Sequence, residues 1–210
     1  LWGVCQATLR CVRGFESAAA CSSFSCMRPR RCFPSRNPAA LICPHLSHPA
    51  PTPAHVQDPE VLYISCHQAG LWPHTGKPRT SVAGECLGAN INVPLPGGCG
   101  DVAAREVMRR IVAPAARRFR PDAVIVSAGY DGHAADVLAG TEFQTDTYAW
   151  LAASLAILSK ELCGPGRLMF VLEGGYDLPS LGASVVASLQ GMLSPSETLE
   201  LLAGDDPAVP

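Results

Sequence analysis

The 210-residue chain holds no apolar run near the roughly 18–20 residues that a membrane-spanning helix needs, so no helical span is expected. It has little net charge, −2 with a sequence pI near 6.3, and so no general electrostatic pull toward nucleic acid; direct nucleic-acid binding is not expected. It has ten cysteines but no C-x-x-C pair, which excludes a zinc knuckle and a thioredoxin-type site. Six of the ten lie in the first 43 residues and the other four are scattered, so the later part reads as intracellular with reduced thiols. Neither G-x-G-x-x-G nor G-x-x-x-x-G-K-[ST] occurs, which ranks a nucleotide-binding doubly wound domain last. No internal repeat is present, and no lysine precedes Lys77.

What is there divides in two. Residues 1–57 carry six arginines, one acid (Glu16) and much Ser, Ala, Cys and Pro, with Pro44, Pro49, Pro51 and Pro53 in the second half. Proline does not sit inside helices or central strands, and neither periodicity persists here, so this part reads as a low-order segment unrelated to the domain after it. Its acid-poor, Arg- and Ser-rich composition also fits an organelle transit peptide. A plainer alternative is an unstructured or wrongly translated stretch without function. The chain begins at Leu1 rather than Met, which reads as a fragment.

Residues 58–195 alternate strand and helix. Val61 to Ser65, Ile91 to Leu95, Ala123 to Ser127 and Leu168 to Leu172 are short, apolar runs of the kind buried on both faces of a parallel sheet. A long loop with glycine and proline at Gly70, Pro73, Gly76, Pro78, Gly84 and Gly88 comes after the first, and a loop of that length is usually functional. Helices are expected over 101–120, 145–162 and 179–193. Their inward faces are read as Val102, Val107, Ile111, Val112, Ala115 and Phe119; then Tyr148, Leu151, Leu155, Leu158 and Leu162; then Leu181, Val185, Leu189 and Met192. The arginines between 105 and 118 read as a solvated face. Thr145 is the expected N-cap of the second helix, and residues 196–210 form a tail with a short helical piece. The order β-α-β-α argues a parallel, three-layer α/β domain.

In open α/β sheets chemistry sits beyond the carboxyl ends of the strands. There the third strand delivers Asp131, His133 and Asp136, and the fourth delivers Gly174, Gly175 and Tyr176. A carboxylate is a suitable zinc ligand, and a tyrosine hydroxyl can donate to a forming oxyanion. Paired glycines let a substrate approach the backbone. Together these suggest metal-assisted amide hydrolysis. Taken singly, an Asp after a strand is as often a helix cap, and Gly-Gly-Tyr as often a turn.

Five ordered segments then resemble one family. They are Asp58-Pro-Glu-Val-Leu-Tyr-Ile-Ser-Cys-His-Gln68, Trp72-Pro73 with Thr75-Gly76, and Asn90-Ile-Asn-Val-Pro-Leu-Pro-Gly-Gly98 with Gly100-Asp101. They continue with Ser127-Ala-Gly-Tyr-Asp-Gly-His133 with Asp136 and Leu138-Ala-Gly140, and Leu172-Glu-Gly-Gly-Tyr-Asp177. This pattern resembles the zinc-dependent histone deacetylases, closest to the class II enzymes and the acetylpolyamine hydrolases, over about residues 57–193. The resemblance implies an arginase/deacetylase-like α/β fold, incomplete on its N-terminal side, with residues 58–195 as the C-terminal part of the catalytic domain. It implies zinc-dependent hydrolysis of N-acetyl-lysine in histone tails or other proteins. Asp131 would be a zinc ligand, Tyr176 the catalytic oxyanion donor, and Trp72, Gly174 and Gly175 the acyl-lysine tunnel. Ser65 and Cys66 match a structural potassium site, for which ordinary strand-end packing is the alternative. His67 and His133 are expected to support structure rather than chemistry. The family's usual compartments are nucleus and cytoplasm, beside which the Arg/Ser-rich front leaves an organelle open.

The sequence also departs from that pattern. The family's Asp-x-His zinc segment and its tandem histidines, one the general base, should precede Val61, and neither occurs. Val137, His74 and Leu71 are smaller departures. One Asp falls short of the three or four protein ligands a zinc site takes, so turnover by this chain is expected to be impaired. The competing reading is a truncated, inactive deacetylase half or a partner-binding module, with an exposed sheet edge.

Overall fold

In the computed structural model, residues 6–10, 39–45, 60–71, 74, 76–77 and 88–202 are described, the first two stretches by their backbone alone. Six strands form one sheet: β1 (Gln6–Arg10), β2 (Ala39–His45), β3 (Val61–Gln68), β4 (Asn90–Leu95), β5 (Val124–Gly129) and β6 (Leu168–Gly174). Their order is β4-β3-β1-β2-β5-β6, and β2 also pairs with β3. All pairings are parallel except those of β1, which runs antiparallel to β2 and β3.

Two strands therefore come from the front end, which corrects the expectation that residues 1–57 contain no strand and stand apart from the domain. Strand β2 lies between β3 and β5, with Ala39 opposite Val61 and Ala40 opposite Val124. Its Ala39-Ala-Leu-Ile-Cys43 run is apolar and short, as a central strand should be. The surrounding prolines, Pro38 and Pro44, masked it.

The helices are α1 (Asp101–Val107), α2 (Ala113–Phe119), α3 (Thr145–Cys163), α4 (Leu178–Leu193) and α5 (Pro195–Leu202). A π-helical turn, Met108–Val112, joins α1 to α2. Pro114 explains it: with no N–H, proline cannot donate to Arg110 in an α-helical ladder. Left-handed Arg120, at φ 56, ends α2 before Pro121. The core packs Leu62, Ile64, Val124 and Val126 of the sheet against Val107, Met108, Val112, Tyr148, Leu155 and Leu158 of the helices. Val102, expected inside, is 76% exposed.

Arg110, Arg117 and Arg118 are exposed, as a solvated face requires, but Arg105 and Arg109 are partly buried. Arg105 lies 5.1 Å over the Trp150 ring and donates to the Leu202 carbonyl, tying α1 to α3 and α5. Arg117 makes a two-pronged pair with Glu161 at 2.9 Å. The N-cap of α3 is Gln144, in a reciprocal box with Thr147, not Thr145.

Helix α4 packs the expected Leu181 and Val185 against the core, but its most buried face is one of small residues, Ser180, Ser184, Ala187, Ser188 and Gly191, and Leu189 is half exposed. The cause is close approach to α3: a Cβ on Gly191 would sit 2.3 Å from the Ala149 carbonyl oxygen. Gly191→Ala should therefore overpack the pair by about 1–3 kcal/mol, a fall in Tm of roughly 2–4 °C per kcal/mol in a domain of this size. Thermal unfolding followed by circular dichroism checks it, and an unchanged Tm would show that α3 and α4 separate easily.

Strand β6 is an edge of the described sheet rather than a strand buried on both faces. Met169, Val171 and Leu172 are 51%, 38% and 58% exposed.

Candidate active site

The site grows from two neighbouring parallel strands. In β5 and β6 the register runs from Val124 opposite Leu168 to Ala128 opposite Leu172, then slips so that Gly129 faces Gly174. The slip pushes Glu173 out of the ladder, where its carboxylate accepts a 2.6 Å hydrogen bond from the Ser127 hydroxyl. Beyond the slip, the Tyr130 N–H donates to the Gly174 carbonyl at 3.0 Å, so the two strand ends stay locked while their loops diverge. Asp131 and Tyr176 stand on those loops. Asp131 and Tyr176, two of the six strand-end residues, thus stand on neighbouring loops.

Asp131 is fully buried, at 0% exposure. Burial, and then the charge of Asp136, push its carboxyl up to about 8, against the pull of the Asp131 and Gly132 backbone N–H groups. A cation beside it would reverse that direction. Tyr176 is 40% exposed. Burial, then the carboxylates of Asp131 and Asp136, hold its phenol above its ordinary value, so it stays a proton donor at neutral pH. Gly175 precedes it at φ 125, where a Cβ would meet Leu181 at 2.8 Å and Tyr130 at 3.0 Å. The second glycine of the pair is thus required by both conformation and space.

His133 is not a free ligand. Its Nδ1 accepts from the Ala135 N–H at 3.1 Å, so Nε2 carries the proton, and that nitrogen lies 3.2 Å from the Thr145 hydroxyl. The ring stacks on Tyr148 with centroids 6.4 Å apart. His67 is likewise occupied: Nε2 donates to the Gly76 carbonyl at 2.9 Å, and Nδ1 takes the Ser65 hydroxyl at 2.9 Å. It therefore pins the loop after β3. Ser65 is buried, and burial pushes the Cys66 thiol up to about 12, so that side chain is a thiol and not a thiolate. Trp72, the expected tunnel wall, lies outside the described residues.

Two contributors are not marked as such in the sequence. Gln68 at the end of β3 accepts from the Gly140 N–H at 2.6 Å and so holds the far end of the Asp131 loop. Asp136 stands out in the chain only as part of a motif; its carboxylate crosses to the tyrosine loop, accepting from the N–H groups of Tyr176 at 2.6 Å and Asp177 at 3.2 Å. No local signal marks either role, because both act between segments 40 or more residues apart.

No group of three or more His, Cys, Asp or Glu side chains among the described residues is placed to hold a metal ion. The donor set there is the Asp131 carboxylate, one ligand of the three or four that zinc takes. The mainly apolar cavity of ≈ 100 Å³ between β5 and α3 is lined by neither Asp131 nor Tyr176 and is a packing feature.

Comparison with known proteins places these loops in context. A family profile described as "Histone deacetylase domain" matches residues 52–192. The chain is similar to Histone deacetylase 14, chloroplastic, of Arabidopsis thaliana, 48% identical over 140 residues that cover 67% of this chain and 33% of that protein. It is similar to Histone deacetylase 10, chloroplastic, of Oryza sativa subsp. japonica, 46% identical over 157 residues, covering 74% of this chain and 34% of that one. Among solved structures it is similar to the histone deacetylase Clr3, with a TM-score of 0.62 and 30% identity over 71% of this chain and 28% of that chain. The chain thus spans about a third of the length of these curated relatives.

Proposed function

Since the chain belongs to the histone deacetylase domain family, we propose that its two loops are the carboxyl-terminal part of a catalytic centre that hydrolyses N-acetyl-lysine in proteins. One observation carries the reading. A fully buried carboxylate, Asp131, stands at the end of β5, and a protonated, half-exposed phenol, Tyr176, stands at the end of its neighbour β6.

Each residue then has a task. Tyr176 donates its O–H to the oxygen of the acetyl carbonyl as that oxygen gains negative charge, which stabilises the tetrahedral state. Gly174 and Gly175 let the acyl-lysine stem pass close to the backbone. Trp72 walls that stem by family resemblance. Asp131 would be the residue of this chain that holds zinc, and a bound zinc would supply Lewis-acid chemistry for the carbonyl and for water. The described residues do not complete a zinc site, and the sequence has neither an Asp-x-His segment nor paired histidines before Val61. Turnover by this chain is therefore impaired. Potassium at Ser65 and Cys66 has the support of resemblance and of one buried hydroxyl.

A second reading, an inactive half that binds a partner, is favoured by the open edge strand β6 with its exposed Met169 and Leu172. For location, the two plant relatives named chloroplastic support an organelle, and the family supports nucleus or cytoplasm. No helix among the described residues is long and apolar enough to cross a membrane.

Acetate release from an acetyl-lysine peptide tests the proposal. The 210-residue chain should release little. A chimera, in which residues 1–51 are replaced by the segment preceding the matched stretch in the Arabidopsis thaliana relative, should turn over. A folded chimera that releases no acetate would remove the deacetylase reading.

A further inference from the structure

Asp136 has a carboxylate that bridges the two loops of the site. It is 7% exposed, and its own N–H is fixed to the His133 carbonyl at 2.8 Å, so its root is rigid. One oxygen, Oδ1, accepts from the Leu138 N–H at 2.9 Å. The other, Oδ2, accepts from the N–H groups of Tyr176 at 2.6 Å and Asp177 at 3.2 Å. Hydrogen bonds to an ionised acceptor are the stronger and shorter kind. They are also needed here, because Gly175 at φ 125 gives the preceding backbone little preference of its own.

We propose that Asp136 is the positioning residue for Tyr176: it clamps the backbone of the tyrosine loop to the loop of Asp131 and so sets where the phenol oxygen stands. The proposal rests on reading Tyr176 as the oxyanion donor, but the clamp itself does not. Asp136→Asn is the informative change. It keeps size and shape but leaves one acceptor oxygen, with an NH₂ group in place of the other. Asparagine cannot serve Leu138 on one side and Tyr176 with Asp177 on the other.

The test uses the full 210-residue chain and two readouts that need no turnover. The first is amide hydrogen exchange resolved by NMR. The N–H groups of Tyr176 and Asp177 should be protected in the unsubstituted chain and lose about 10–100-fold of that protection in Asp136→Asn, with β5 and β6 unchanged. The second is ¹⁹F NMR of the chain labelled with 3-fluorotyrosine, which reports its four tyrosines. The Tyr176 line, identified by its loss in Tyr176→Phe, should move toward its solvent-exposed position, while those of Tyr130 and Tyr148 stay. Unprotected Tyr176 and Asp177 amides in the unsubstituted chain would overturn the clamp, even if the variant failed to fold. So would a variant with both readouts unchanged. Lost amide protection with an unmoved Tyr176 line would overturn the positioning role. A clamp found in a chain whose chimera releases no acetate would sink the deacetylase reading and leave the clamp standing.

Discussion

Tyr176→Phe, made in the chimera with a restored upstream segment, is expected to lower acetyl-lysine turnover about 10²–10³-fold, the usual cost of one oxyanion-hole donor. The substitution removes one oxygen and leaves the ring. Its neighbours Gly175 and Asp136 engage the loop through space and backbone, and phenylalanine changes neither. The loss should therefore fall on kcat, because the donor acts where charge develops and not where the substrate stem binds. A loss confined to KM would recast Tyr176 as a binding residue.

Asp131→Asn should stabilise the metal-free chain at neutral and alkaline pH. The carboxyl stands raised from 3.8 to about 8, first by burial and then by Asp136. A raised carboxyl favours the protonated form in the folded state. Its contribution is fully present below pH 4, where folded and unfolded chains both hold the proton. It is lost as pH rises through 8, where the folded chain must bury a charge. Across that window a shift of this size corresponds to on the order of 5 kcal/mol. Asparagine cannot ionise, so the variant should lose this part of the pH dependence and melt higher at pH 8 than the unsubstituted chain. Urea unfolding of both between pH 4 and 9, without metal, checks this. A variant less stable at pH 8 would show that Asp131 is ionised and compensated within the fold. The same substitution should weaken zinc binding in the chimera, because a neutral amide replaces an anionic ligand.

Much of this was legible in the chain. The apolar runs after Pro59, before Pro96, after Pro121 and after Gly166 became β3, β4, β5 and β6, since a buried parallel strand needs little beyond a short β-rich run. The strand-end rule then pointed to Asp131, His133, Asp136, Gly174, Gly175 and Tyr176, of which the family resemblance selects Asp131 as ligand and Tyr176 as oxyanion donor. What escaped depends on partners distant in sequence. Strand β2 is a seven-residue run whose meaning comes from lying between β3 and β5. The small face of α4 makes sense once Gly191 meets Ala149. Asp136 resembles a helix cap until its oxygens are traced to Tyr176 and Asp177. The exposed face of β6 shows that an apolar run does not say whether a neighbour exists to cover it.

Zinc content per folded chain is the most direct measure of the central claim, that Asp131 is one ligand of a site completed from upstream of residue 52. After equilibration with zinc and dialysis, the 210-residue chain should retain well below one ion. The chimera should retain about one, as a single catalytic site requires, and should lose it on Asp131→Ala. One ion retained by the 210-residue chain, or by the chimera carrying Asp131→Ala, would contradict the account.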